Sequence, residues 1–377
     1  MKIALVTLSF LPVRGGMEFV VHDLASALQS GGHDVTVFAP ARRDKAEEEP
    51  HDYTLVRFGW TFRGAYRLGF NKWPLRKAFS RRHAERPFDV INSHSAYLAT
   101  SYAHSLGDRF NLPVLVTCHG ADIQREAEVG YGLRLTPKND RIIRTNLEKA
   151  SAVVSISPST YTELDQLLPA ENIISIPMGI WPSGNFLNAA PWLRSSVDAA
   201  VDDIIVISVG RNDFRKSFGL GVQAFALALQ TAPSLRYIHI GRGGDQLEST
   251  ASELGIADRF HAIGEMPRSA VINAYHEADI FFSPASVESF GIVTFEAMAA
   301  GLPVVVTDGP GNRDAVDSGV EGYVVPVSDT QAMASALVRL ALDPTEQATL
   351  GQNAKLKGQS YTWPEIAKQY ADAMSRL

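Results

Sequence analysis

Short apolar runs alternate with helix-length amphipathic stretches along most of this 377-residue chain. The run Ile3-Ala4-Leu5-Val6-Thr7-Leu8 predicts a buried strand, followed by a Gly15-Gly16 turn and a helix over 18–29. Further strands are expected at 35–38, 53–58, 90–91, 114–116, 152–154 and 173–174. The pattern then resets. A fresh first strand is expected at 204–209, with others at 237–240, 260–263, 280–282, 304–306 and 323–325. Continuous β-branched runs separated by helices predict parallel strands covered on both faces. Between the two series lies the Pro- and Gly-rich stretch 177–184. The expected class is α/β, with two Rossmann-like, doubly wound domains facing a cleft. The expected boundaries are 1–179 for the first domain and 180–361 for the second, with a closing helix over 362–377 returning to the first.

Composition narrows the class further. Hydrophobic residues make up 45% and charged residues 20%, so the chain can supply a sizeable core. The formal net charge of −6 argues against nucleic-acid binding driven by bulk electrostatics. Charge is unevenly divided: residues 1–180 carry a net +2 and residues 181–377 a net −8. The single cysteine, Cys118, excludes an internal disulfide and a multi-cysteine zinc site, and fits a reducing cytoplasm. No apolar run reaches 18 residues. The apolar start leads into a Gly-Gly turn and an amphipathic helix, which reads as a first strand rather than a signal peptide.

Four segments could carry chemistry. In the segment 284–305, a strand ends near Pro284 and a helix begins near Gly291, where free N–H groups attract anions. Glu288 lies in the loop and Glu296 inside the helix, so the two can reach different ends of one ligand. Taken alone, they fit equally well a surface glutamate beside a helix cap. The segment 209–219 follows the first strand of the second domain and offers Arg211, Arg215 and Lys216, a clamp suited to a diphosphate, or else a solvated basic turn. The Gly15-Gly16 turn permits close backbone approach to a phosphate or sugar, or is a plain tight turn. In Thr117-Cys118-His119-Gly120-Ala121-Asp122, the histidine and carboxylate could bind hydroxyls. Adjacent side chains in extended backbone point opposite ways, so Cys118 is expected to be a small buried residue rather than a nucleophile paired with His119. There is no Asp-x-Asp, no His-Glu-x-x-His, and the ten histidines are scattered, so no metal is expected.

Together these segments resemble the retaining glycosyltransferases of family 4, which have the GT-B fold. The resemblance rests on Glu288-x7-Glu296 with its Phe290-Gly291 and Glu-Ala-Met-Ala-x-Gly-x-Pro-Val-Val continuation, on Gly210-Arg211 followed by Lys216, on Gly15-Gly16, and on Thr117-Cys118-His119-Gly120, in that family's order and spacing. It runs from Lys2 to about Tyr370. It implies that Gly16 lends its N–H to the donor side and that His119 lies by the transferred sugar. Arg211 and Lys216 would bind the diphosphate, with the N–H groups around Phe290 and Gly291 adding to sugar and phosphate binding. Glu288 would act at the reacting sugar and Glu296 would bind the ribose. Asp122 and Gly15 would lie toward the acceptor. The chain departs from the family at Lys216-Ser217, where Lys-Gly is common, and at Arg313-Asp314, where Pro-Glu is common.

The implied activity is retaining transfer of a hexosyl group from a nucleotide diphosphate sugar, most commonly a uridine one, to a hydroxyl of a glycan or glycolipid. No metal or other cofactor is implied. Retention can proceed by front-face attack or by double displacement through Glu288, and the residues alone leave both open. The alternatives are an epimerase or hydrolase of the same fold, or a non-catalytic nucleotide-sugar binding protein. Residues 57–86 carry nine Lys and Arg against Glu85 alone, interleaved with Trp60, Phe62, Tyr66, Phe70, Trp73 and Phe79. That mixture suits an anionic membrane surface met from the cytoplasm, or a solvated basic face around a polar acceptor pocket.

Overall fold

The structure, a computed structural model, describes residues 1–13, 15–41, 50–59, 72–181 and 190–377. The 182–189 part of the stretch expected at the domain boundary lies outside the described residues. Contacts divide the chain into two compact units: Met1–Gly179 with Trp363–Leu377, and Ile180–Thr362.

The first unit holds a seven-stranded parallel sheet. Its strands are β1 (Lys2–Val6), β2 (Asp34–Pro40), β3 (Thr54–Phe58), β4 (Val90–His94), β5 (Val114–Thr117), β6 (Ala152–Ser155) and β7 (Ile173–Ser175). Their spatial order is β3-β2-β1-β4-β5-β6-β7, which reverses direction between β1 and β4. The second unit repeats the plan with six strands: β8 (Ile204–Val209), β9 (Leu235–Ile240), β10 (Phe260–Ile263), β11 (Ile280–Ser283), β12 (Val304–Thr307) and β13 (Gly322–Val325). Their order, β10-β9-β8-β11-β12-β13, reverses between β8 and β11.

Both sheets form because their central strands can be buried on both faces. Every residue of β4, β5, β6, β11 and β12 is buried. A β-branched side chain packs well there, and a parallel ladder must be covered by crossover helices on each side. The helices supply that cover. Phe218–Leu229 turns Phe218, Val222 and Phe225 into the second core, beside Tyr237 and Phe282. In the first unit, helix Lys72–Glu85 contributes Leu75 and Phe79, which pack with Phe38 and Phe88.

The last helix, Trp363–Ser375, belongs to the first unit. The Trp363 indole N–H donates to the buried Asp23 carboxylate at 3.1 Å, which ties it to helix Gly16–Ser30. Just before that helix, Ile180 N–H donates to the Tyr361 carbonyl at 2.7 Å. The two passages of the chain between the units therefore run side by side where they leave the second unit.

Candidate functional site

In an open parallel sheet, ligands bind beyond the carboxyl ends of the strands where the strand order reverses. In the second unit that place lies beyond β8 and β11. The two loops that leave it are the segments that carry Arg211, Lys216 and Glu288. They are stitched together directly. Ser286 N–H donates to the Arg215 carbonyl at 2.7 Å, and the Ser217 and Ser286 hydroxyls bond at 2.7 Å. The Lys216 ammonium pairs with the Glu288 carboxylate, both side chains largely buried.

The three cations of this loop have different fates. Arg215 turns back on Asp213, with its Nη2 2.7 Å from Oδ2 and its Nε 3.1 Å from Oδ1. Burial works to raise the Asp213 carboxyl, and the hydrogen bonds and charge of Arg215 overcome it, so the group lies below the usual carboxylate range. Arg215 thus holds the loop in shape through Asp213. Arg211 keeps a 58% exposed side chain, 4.0 Å from Asp213.

A third loop, which follows β12, supports Glu288 from below. Glu288 N–H donates to the Pro310 carbonyl at 3.0 Å. Gly311 has φ +79°, and a Cβ there would stand 2.7 Å from the Glu288 carbonyl oxygen, so neither the backbone conformation nor the space admits a side chain. Asn312, fully buried, donates to the Thr307 hydroxyl at 3.2 Å and to the Ala285 carbonyl at 3.4 Å. Sequence reasoning assigned nothing to this loop. Its signal was present in Gly309-Pro310-Gly311-Asn312 directly after a strand.

Helix Ile292–Ala300 starts at Gly291, which has φ +83°. Its first N–H groups have no acceptor within the helix and form an anion-attracting end. Two buried oxygens near it, Thr294 Oγ1 and Asn312 Oδ1, have no hydrogen-bond partner among the described residues. They would lie 3.4 Å and 3.8 Å from a Cβ on Gly291. Phe290 is buried, with its ring stacked on Phe295 at 4.5 Å and facing Tyr361. Glu296, one turn inside the helix, accepts from Arg268 at 2.8 Å and 3.2 Å. Arg268 opens helix Arg268–Glu277 and was missed from sequence, because its partner lies 28 residues away on a separate element. Behind this pair, burial and then the Glu296 charge push the Tyr275 phenol far above its ordinary value.

The first unit reverses between β1 and β4, and the remaining candidates gather there and at the end of β5. Gly15 caps helix Gly16–Ser30 in an extended conformation. The Glu18 carboxylate, in the first turn, accepts from the Ser9 hydroxyl. A Cβ on Gly16 would meet no atom within 4 Å among the described residues, so its backbone is open to a ligand. His119 Nε2 lies 3.0 Å from Nδ1 of His94, at the end of β4. Burial pushes His119 down to about 3, and burial followed by the His119 charge takes His94 well below its usual value. Two neutral rings therefore share one proton donor between them. Cys118 is fully buried, and burial raises its thiol far above the ordinary range, so it is not a nucleophile.

Asp122 departs from expectation. It is 2% exposed, and its carboxylate accepts from Ala96 N–H at 2.7 Å and from His119 N–H at 3.0 Å. Its oxygens fasten the loop after β5 to the loop after β4. The basic stretch 57–86 also divides. Residues 60–71, with Trp60, Phe62, Tyr66 and Phe70, lie outside the described residues. Phe79 is a core residue rather than a surface aromatic. Arg57 donates to the Leu11 and Pro40 carbonyls, Arg82 to Thr36 and Thr54, and Arg86 to Asp34, so these three serve the fold. Lys72, Arg76, Lys77 and Arg81 remain exposed beside Trp73, which is 60% exposed. Among the described residues no three His, Cys, Asp or Glu side chains come together as a metal site, and no helix is long and apolar enough to cross a membrane.

Comparison with known proteins agrees with this fold. Residues 14–183 match the family "Glycosyltransferase Family 4", and residues 193–357 match "Glycosyl transferases group 1". A D-inositol 3-phosphate glycosyltransferase of Saccharomonospora viridis is 29% identical over 73% of this chain and 67% of its own length. The alpha-monoglucosyldiacylglycerol synthase of Acholeplasma laidlawii is 24% identical over 98% of this chain and 95% of its own length. The Anabaena protein Alr3699/HepE, solved in complex with UDP and glucose, superposes with a TM-score of 0.81 at 22% identity over all of both chains.

Proposed function

Because this chain belongs to the family 4 glycosyltransferases, we propose that it transfers a hexosyl group from a nucleoside diphosphate sugar to an acceptor hydroxyl with retention of anomeric configuration. The observation that carries this reading is the pairing of Lys216 with Glu288 where the loops after β8 and β11 meet, beside the N-terminus of helix Ile292–Ala300.

The chemical problem is the charge that develops on the leaving diphosphate. Cations and N–H groups fixed in advance stabilise it without reorganising during the reaction. Lys216, the exposed Arg211 and the N–H groups around Phe290 and Gly291 are the residues for that task. A diphosphate competes with Glu288 for the Lys216 ammonium. Its arrival releases the Glu288 carboxylate toward the transferred sugar, at its 3-hydroxyl and anomeric centre. Glu296, oriented by Arg268, accepts from the ribose hydroxyls. In front-face attack the bond from the anomeric carbon to the phosphate oxygen breaks as the bond to the acceptor oxygen forms. The acceptor proton passes to the departing phosphate oxygen, so no separate base is needed. Gly15, Gly16 and His119 are the first-unit residues proposed for sugar and acceptor. Asp122 acts there only through the loop it fastens.

A uridine donor is supported by the Anabaena protein solved with UDP and glucose. A glycan or lipid-linked acceptor is supported by relatives named for an inositol phosphate and for a diacylglycerol. With such an acceptor, the exposed Lys72, Arg76, Lys77 and Arg81 would meet an anionic membrane from its cytoplasmic side. No metal or other cofactor enters this reading. The test is incubation of the protein with a panel of nucleoside diphosphate sugars, with and without lipid-linked and glycan acceptors, and assignment of the product anomer by NMR. Acceptor-dependent release of nucleoside diphosphate with the donor's configuration kept is expected. Release independent of acceptor would assign a hydrolase, and a changed sugar on an intact donor an epimerase.

A further inference from the structure

Away from the loops that carry the donor residues, three helices of the first unit line an open groove of about 590 Å³. They are Lys72–Glu85, Leu98–Phe110 and Pro137–Glu148. Helices packed on a sheet normally meet along apolar ridges. Here the facing positions are Lys72 and Arg76 from the first helix, Ser101, Ser105 and Arg109 from the second, and Thr145 from the third, with Lys149 just past its end. Each set repeats at helical spacing, so the polar residues form continuous faces.

The floor is polar and held in place. Asn146, 5% exposed, donates to the Ala96 and Tyr97 carbonyls at 2.9 Å and 2.7 Å and bonds to Ser101 Oγ. The buried His104 reaches the Asn146 carbonyl at 2.7 Å. Burial lowers the imidazole below its ordinary value, so it carries no charge at neutral pH. The groove contains one carboxylate, Asp108, which is paired with Lys149. Among the described residues, Lys72, Arg76 and Arg109 have no acidic partner. Three uncompensated cations around hydroxyl donors, on a floor whose own hydrogen bonds are made, describe a site for a compact oxyanion. Arginine forks and hydroxyls match phosphate oxygens in number and direction.

We propose that this groove binds a phosphate-bearing group through Lys72, Arg76 and Arg109, with Ser105 and Thr145 donating to the same oxygens. It goes beyond the transfer reaction and requires no particular donor. It also deepens the membrane reading, since it replaces diffuse attraction by a discrete site. The group can come from free phosphate in solution or from a phospholipid head group.

The test uses the full chain with two probes. Inorganic phosphate is titrated at constant ionic strength while the backbone amides of Ser101, Ser105 and Thr145 are followed by NMR. Sedimentation with vesicles of phosphatidylglycerol in phosphatidylcholine provides the lipid arm. The variants are Arg76→Gln, Arg109→Gln and, as a control outside the groove on the same helix, Arg81→Gln. Saturable shifts at the three amides, weakened about tenfold by Arg76→Gln or Arg109→Gln but not by Arg81→Gln, are expected for a phosphate site. Vesicle binding with that same ranking, without response to free phosphate, assigns the head group as the ligand. Vesicle binding weakened equally by all three variants overturns the site while leaving the membrane reading intact. Absence of both responses overturns the site as well. Nucleoside diphosphate affinity, measured on the same variants, should stay unchanged.

Discussion

The Lys216 ammonium is paired with the Glu288 carboxylate across 72 positions of sequence, joining the loops that follow the two central strands of the second sheet. In the absence of donor each group satisfies the other. A diphosphate must displace the carboxylate to reach the lysine, so the same event that binds the leaving group frees the glutamate. Lys216→Ala is therefore expected to lower kcat by about 10²–10³-fold, the scale seen when one preorganised anion donor is removed. Arg211→Ala, which removes the exposed cation nearby, should fall in the same range. Near-normal turnover in both variants would exclude them from the diphosphate.

Glu288→Gln should abolish transfer while the fold survives, because backbone contacts of Ser286 and Pro310 and the close approach of Gly311 hold the loop. Circular dichroism and a melting curve close to those of the wild type, with product formation lost, would be the expected pair of results.

Glu296→Gln should act mainly on donor affinity, weakening it by about 1.5–3 kcal/mol for a hydrogen bond to a charged group. Arg268→Gln is expected to shift donor affinity in the same direction, because it removes the group that orients Glu296. A loss confined to kcat in either variant would place the pair at the reacting sugar instead.

The buried histidine pair makes stability pH-dependent with a definite sign. His119 is held at about 3 in the folded state, against an unfolded value near 6.5. Above about pH 6.5 both states are neutral and nothing is lost. As pH falls below that, the unfolded chain takes up a proton that the folded ring refuses, so stability drops by up to about 1.4 kcal/mol per pH unit until pH reaches the folded value. His119→Asn should flatten the fall in unfolding free energy between pH 6.5 and 4. An unchanged slope would mean that His119 is not the neutral, buried ring seen here.

Activity should persist in excess EDTA, since the chain offers no Asp-x-Asp and the proposed leaving-group stabilisation rests on Lys216, Arg211 and helix N–H groups. Loss in chelator that Mg²⁺ or Mn²⁺ restores would contradict it.

The thirteen strands among the described residues were legible in the sequence, because strands buried on both faces, such as Val304–Thr307 and Ala152–Ser155, must be written as unbroken apolar or β-branched runs. The loops after β1, β5, β8 and β11 were legible too, through glycine and charge, whereas the loop after β12 was passed over. What the sequence withheld was pairing. Nothing local in Lys216, Arg268 or His94 indicates that Glu288, Glu296 or His119 stands beside it, because those contacts depend on which strands are neighbours. The same limit explains Arg215 and Asp122. Each carries the charge a ligand site needs, and each spends it within the protein, Arg215 on Asp213 of its own loop and Asp122 on the N–H groups of Ala96 and His119. In residues 72–86 composition blurred the division between fold and surface. Phe79 at helical spacing from Leu75 belongs to the core, whereas Trp73 does not.

The most direct test of the donor site is isothermal titration of UDP into the wild type, Lys216→Ala and Glu296→Gln. Binding to the wild type, weakened about tenfold or more in each variant, is the expected result. Equal affinity in all three proteins, or no binding of any nucleoside diphosphate to the wild type, would contradict the placement of the donor at the loops after β8 and β11.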